Sequence, residues 1–173
     1  MSVRSETPAD PPLPSPSPAG QLGSFLEEDH DRLDALWVRA TLAWPRDQVE
    51  ARQLFEEFRI GLLRHIRVEE EVLFPFYNAR SSPSSRHLTD LLHAEHREIM
   101  AALARLMAVV NGGPQDLEEA ETVLRNVLWA HNAREEGLLY PWFDPTDDPD
   151  LLRLGADVRA RLFVSPAGAT PPR

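Results

Sequence analysis

Apolar positions along this chain recur at helical spacing. From residue 24, Phe25, Leu26, Leu33, Leu36 and Trp37 form one stripe, and Ser24 with Glu27 has the form of a capping box. Trp44-Pro45-Arg46-Asp47 breaks the stripe. Asp47 with Glu50 caps a second helix, expected to run to about Tyr77. Ser81-Ser82-Pro83-Ser84-Ser85 reads as a turn, and a third helix over roughly 84–110 stops at Asn111-Gly112-Gly113-Pro114. A fourth helix is predicted from about Gln115 to Tyr140, then a short amphipathic helix at 149–163. No segment alternates as a strand would. The pattern predicts an all-α, up-down-up-down four-helix bundle with a short extra C-terminal helix.

Residues 1–20 are rich in Pro and Ser and read as a disordered tail. Residues 164–173 form a polar tail, leaving 21–163 as the bundle. The Pro-rich tail offers a protein partner only a weak docking segment, and a plain linker is the favoured reading.

The chain repeats itself. HIRVEEEVLFPFY starts at residue 65 and HNAREEGLLYPWF at residue 131, an offset of 66. That offset matches His65 with His131, Glu69 with Glu135, Glu70 with Glu136, Phe74 with Tyr140 and Pro75 with Pro141. It also places His30 over His96 and Asp29 over Glu95. The sequence is therefore a duplicated helical hairpin, with pseudo-repeats at about 22–78 and 88–144.

The turns set the heights. Residues on antiparallel neighbours lie level when equally far from the connecting turn. His30 and His65 centre on the Trp44–Asp47 break, His65 and His96 on the Ser-Pro turn, and His96 and His131 on Asn-Gly-Gly-Pro. All four histidines thus share one level. In each His-x-x-x-Glu the two side chains lie one turn apart on one face. Glu70 and Glu136 are expected to rotate away by about 100° and to be ordinary surface charge.

Four imidazoles and two carboxylates at one level of a core need compensation. Two divalent ions supply it, with two His on each and both Glu bridging. Imidazole with carboxylate favours iron or manganese over calcium or magnesium, and with no Cys a thiolate site is excluded. Ferritin-like bundles want Glu-x-x-His on two helices. Glu27-x-x-His30 has that spelling, but the matching position 93 holds His and no second copy exists.

Other residues add less. His87 is expected in solvent. His93, three residues before His96, is either a bystander or a ligand or supporting donor. Gly137 is read as a packing contact or as an opening beside Glu135. Tyr77 and Tyr140 lie beyond the ligand level, and Trp37, Trp129 and Trp142 are expected in the core.

The net charge of −10 argues against nucleic acid and anionic membrane as partners. No apolar run approaches a membrane span and no signal-peptide pattern opens the chain, so a cytoplasmic location is expected.

Glu28-Asp29-His30, His65-x-x-x-Glu69-Glu70 with Leu73-Phe74-Pro75, Ala94-Glu95-His96, and His131-x-x-x-Glu135-Glu136 with Leu139-Tyr140-Pro141 together resemble the hemerythrin-like superfamily, specifically the bacterial HHE cation-binding domain. The resemblance covers about residues 22 to 144. It implies a di-iron centre with an oxo or hydroxo bridge, His30, His65, His96 and His131 as terminal ligands, and Glu69 and Glu135 bridging. Oxygen-carrying members have His-x-x-x-His on the third helix and Asp closing the fourth motif. The symmetric four-His set here instead resembles members linked to nitric oxide, peroxide or iron-cluster repair. The resemblance implies a small oxidant (O2, peroxide or nitric oxide) as ligand, with an O2-activating oxygenase or an iron- or oxygen-sensing module as alternatives.

Overall fold

Helix starts and stops follow local chemistry in the computed structural model, which describes residues 22–112, 116–144 and 147–163. The first helix, α1 (Leu22–Ala43), begins two residues before the expected capping box, so Ser24 sits inside its first turn. Asp47 does cap α2 (Gln48–Val68), its side chain accepting from the Val49 and Glu50 amides. A 3-10 turn at Pro83–Ser85 leads into α4 (Arg86–Val110), preceded by α3 (Phe74–Arg80). Gly112 ends α4 in the left-handed region, at φ 95°, where glycine carries no Cβ penalty. Asp116 caps α5 (Leu117–Arg134) and Asp148 caps α6 (Pro149–Leu162). The expected terminal tails lie outside the described residues, among which the architecture is a helical bundle with an extra C-terminal helix and no strand.

The second and fourth long helices are not the uninterrupted α-helices that the spacing predicts. Glu69–Leu73 forms a π-helical turn between α2 and α3, and Glu135–Leu139 forms another after α5. The Phe74 amide bonds the Glu69 carbonyl and the Tyr140 amide bonds the Glu135 carbonyl, five residues back in each case. Each wide turn is followed two residues later by a proline, Pro75 or Pro141, which has no N–H to continue an α-helical ladder. Both copies of the repeat make the same turn at the same place.

The polar level splits the core in two. On one side Leu33, Trp37, Phe55, Phe58, Ile99, Leu106 and Leu124 pack together. On the other, Leu26, Leu73, Phe74, Leu92, Tyr140 and Phe143 pack with Leu151, Leu154, Val158 and Leu162 of α6. The α6 helix closes this end, its last carbonyl (Leu162) accepting from Arg64 at 3.0 Å. Arg80 pairs with Asp148 at 2.6 Å and also with Asp150.

Helices α1 and α2 approach closely at Gly61, where an added Cβ would stand 2.6 Å from Leu33 Cδ2. Leu33 is buried in the first cluster and has little room to move. Gly61→Val should therefore lower the unfolding free energy by about 1–3 kcal/mol in urea titrations, as overpacking does. An unchanged midpoint would contradict this packing.

Candidate metal centre

All six candidate residues come together at the seam between the two clusters. His30, His65, Glu69, His96, His131 and Glu135 are all buried, with both glutamates at zero exposure. The histidines face one another in pairs: His30 Nε2 lies 3.1 Å from His65 Nε2, and His96 Nε2 lies 3.1 Å from His131 Nε2. Each glutamate reaches both pairs. Glu69 Oε1 is 3.3 Å from His65 and its Oε2 is 3.3 Å from His96. Glu135 Oε1 is 3.1 Å from His131 and its Oε2 is 3.5 Å from His30. Two sets of donor atoms are thereby close enough to share an ion: Glu69, His96, His131 and Glu135 in one, and His30, His65 and Glu135 in the other.

Behind each imidazole stands a carboxylate. His30 Nδ1 meets Glu136 at 2.8 Å and His96 Nδ1 meets Glu70 at 2.9 Å. His65 Nδ1 meets Asp29 at 3.0 Å and His131 Nδ1 meets Glu95 at 3.1 Å. Glu70 and Glu136 are thus not ordinary surface charge. The π-helical turns alter the rotation per residue, so the glutamate beside each inward Glu69 or Glu135 also reaches an imidazole. Arg32 steadies Asp29 at 2.7 Å, and Arg134 pairs with Glu95. An acceptor behind Nδ1 places the proton there and leaves Nε2 with a lone pair aimed inward.

Tyr140 also belongs to the site. Its fully buried phenol oxygen lies 2.8 Å from Glu69 Oε1 and 3.1 Å from Glu135 Oε2, with His30 and His65 Nε2 both at 3.3 Å. An α-helix would have turned residue 140 away from residue 135; the π-helical turn stacks it above Glu135. Phe74, its counterpart in the repeat, stacks on His96 with centroids 5.6 Å apart and planes at 12°. The two halves are alike in imidazoles and carboxylates but differ at this ring.

Elsewhere the expectations divide. His87 is exposed as expected. His93 is half-buried, 3.1 Å from the same Glu70 oxygen that His96 uses, and supports that carboxylate. Gly137 neither packs nor opens space inside: a Cβ there would meet nothing within 4 Å, and the residue is exposed. Tyr77 is buried away from the polar level. Trp37 and Trp142 pack as expected, but Trp129 is 76% exposed, because its neighbour Leu128 takes the inward direction.

The electrostatics follow from this crowding. Burial opposes charge on His65, but Glu69 and Asp29 outweigh it and hold its pKa well above the ordinary histidine value. Burial likewise opposes charge on His131, yet its bond to Glu135 and that carboxylate's charge raise it to about 9. Burial would raise Glu69, but His65 and His96 pull it well below the usual carboxylate range. Burial, with Glu135 and Glu69 adding to it, lifts the Tyr140 phenol well above its usual value.

The family comparison gives the class. The hemerythrin HHE cation binding domain matches residues 22–143, and the chain belongs to this family. Among curated proteins it is similar to uncharacterized proteins of Mycobacterium tuberculosis and Mycobacterium bovis. Each is 33% identical over 139 residues, covering 79% of this chain and 82% of the relative. No solved structure gives a significant match. Among the described residues no helix is long and apolar enough to cross a membrane.

Raised histidine pKa values stabilise the metal-free fold below the unfolded value of about 6.5, and the gain is lost as pH climbs through the folded values. For His131 that loss is centred near 9. Metal-free protein should accordingly melt at falling temperatures as pH rises from about 6.5 to 9. A flat profile across that window would contradict the buried imidazolium–carboxylate pairing.

Proposed function

We propose that this protein holds two iron ions, one between His30 and His65 and one between His96 and His131, bridged by Glu69 and Glu135, and that it binds or reduces a small oxidant there. One observation carries the reading. Two inward imidazole pairs approach to 3.1 Å, each ring with a carboxylate behind its other nitrogen, while the fully buried Glu69 Oε2 and Glu135 Oε1 face the inward nitrogens of His96 and His131. Imidazole nitrogens and carboxylate oxygens crowded together in a dry core are costly without a shared cation and are the donor set that imidazole–carboxylate metals take. Iron, bound there, supplies electrons and a position for the oxidant.

The chain's own residues do the rest. Asp29, Glu70, Glu95 and Glu136 fix the tautomer and aim of each ring. Tyr140 keeps a phenolic proton beside both bridging carboxylates, where it can donate to an incoming oxygen atom. The six apolar side chains around the inner cavity, among them Phe58, Leu62 and Ile99, exclude bulk water. That cavity touches His30, His65 and His131 and measures about 10 Å3, space for one water-sized molecule. Its size favours a diatomic or peroxide over the organic substrate an oxygenase would need.

Purified protein from iron-supplemented cells should carry two irons per chain by elemental analysis, with an optical spectrum that responds to peroxide, O2 or nitric oxide. A well-folded chain that takes up no metal would overturn the reading. His65→Ala should lose iron and lower the melting temperature. Tyr140→Phe should retain both irons, since Phe74 fills the matching position, and slow peroxide consumption about 100-fold, the usual worth of a placed proton donor. Unchanged turnover would remove Tyr140 from that role.

A further inference from the structure

Two openings meet at His30. The inner cavity touches it from within the bundle, and a groove of about 440 Å3 between α1 and α5 touches it from outside. Asp34, Leu128 and Asn132 line both. Asp34 stands one turn beyond His30 and Asn132 directly follows His131, so these two polar side chains occupy the wall between groove and cavity. The two openings share His30, Asp34, Leu128 and Asn132, so apart from the His30 ring itself their common polar lining is Asp34 and Asn132.

The groove is uneven in charge. Asp31, Asp34 and Glu136 give it three carboxylates, against the single guanidinium of Arg125. The repeat does not reproduce this arrangement. Met100 occupies the position matching Asp34, and the buried Ile66 occupies that matching Asn132. The polar wall is therefore not repeated: Asp34 comes from the first hairpin and Asn132 from the second, and their counterparts Met100 and Ile66 are both apolar.

We infer that the α1–α5 groove is the ligand's way in, that Asp34 and Asn132 form its gate, and that its acidic lining selects uncharged small oxidants over anions. This rests on the metal-centre reading above. A negative funnel lowers the local concentration of anions and slows their arrival. A carboxylate beside an amide suits a neutral molecule that both donates and accepts hydrogen bonds, as hydrogen peroxide does. Beyond the gate, the cavity offers only a water-sized space, which excludes larger organic molecules.

Stopped-flow absorbance on the iron-loaded full chain tests this, with azide added to oxidised protein and nitric oxide to reduced protein, iron content being measured for every variant. Asp34→Asn should speed azide binding about threefold to tenfold at low salt, change the nitric oxide rate less than about twofold, and lose the azide gain in high salt as the charges are screened. Asn132→Phe should slow both probes at least about tenfold by filling the gate, with Asn132→Leu a milder version should the larger ring disturb folding. Equal rates in wild type and both Asn132 variants would place the way in elsewhere. An azide rate untouched by Asp34→Asn would remove the charge selection. A metal-independent reading separates this from failure of the iron assignment. Iodide quenching of Trp129 relative to acrylamide, taken as the difference from Trp129→Phe, should rise about twofold in metal-free Asp34→Asn. No rise would show that the groove's charge does not repel anions.

Discussion

A carboxylate placed behind an imidazole decides which nitrogen keeps the proton and which offers its lone pair. This bundle makes that contact four times at one level, and the rest of the structure is arranged around it. Two of the four, His65 with Asp29 and His131 with Glu95, lie within a hairpin. The other two, His30 with Glu136 and His96 with Glu70, tie one hairpin to the other. The polar level is therefore both the site and the fastening between halves. It interrupts the hydrophobic core, so neither apolar cluster spans the molecule alone.

Much of this is legible in the linear sequence, for a definite reason. Duplication supplies an internal comparison, and turn positions convert spacing into height. His30, His65, His96 and His131 satisfy both tests, while His87 and His93 do not; the structure buries the four, leaves His87 exposed and sets the half-buried His93 against Glu70. The helix count and the α6 helix follow from stop signals that act locally, at Asn111-Gly112 and around Pro149.

What escapes such reading shares one cause. Treating residues 47–77 and 115–140 as uniform α-helices sends Glu70 and Glu136 outward and leaves Tyr140 far from the ligands. The π-helical turns reverse both conclusions. A signal is present: a doubled Glu, a leucine three residues on, then an aromatic residue and a proline, all kept at the 66-residue offset. Helical periodicity assumes one rotation per residue, so it cannot show a turn wide enough to bring two successive glutamates to the histidines. Trp129 escapes for a simpler reason, since a large apolar ring on a bundle helix is ordinarily inside.

Joining two copies of a hairpin in one chain has a consequence that two separate hairpins could not achieve. A symmetric pair must carry every residue twice or not at all. Within a single polypeptide the copies are free to drift apart, and here they have: Tyr140 answers to Phe74, Asp34 to Met100, and Asn132 to Ile66. The second copy keeps the hydroxyl of Tyr140 and the amide of Asn132, the first keeps the carboxylate of Asp34, and apolar residues stand at the matching positions. Covalent linkage thus permits a division of labour, in which each half supplies different polar groups to one face of a shared site.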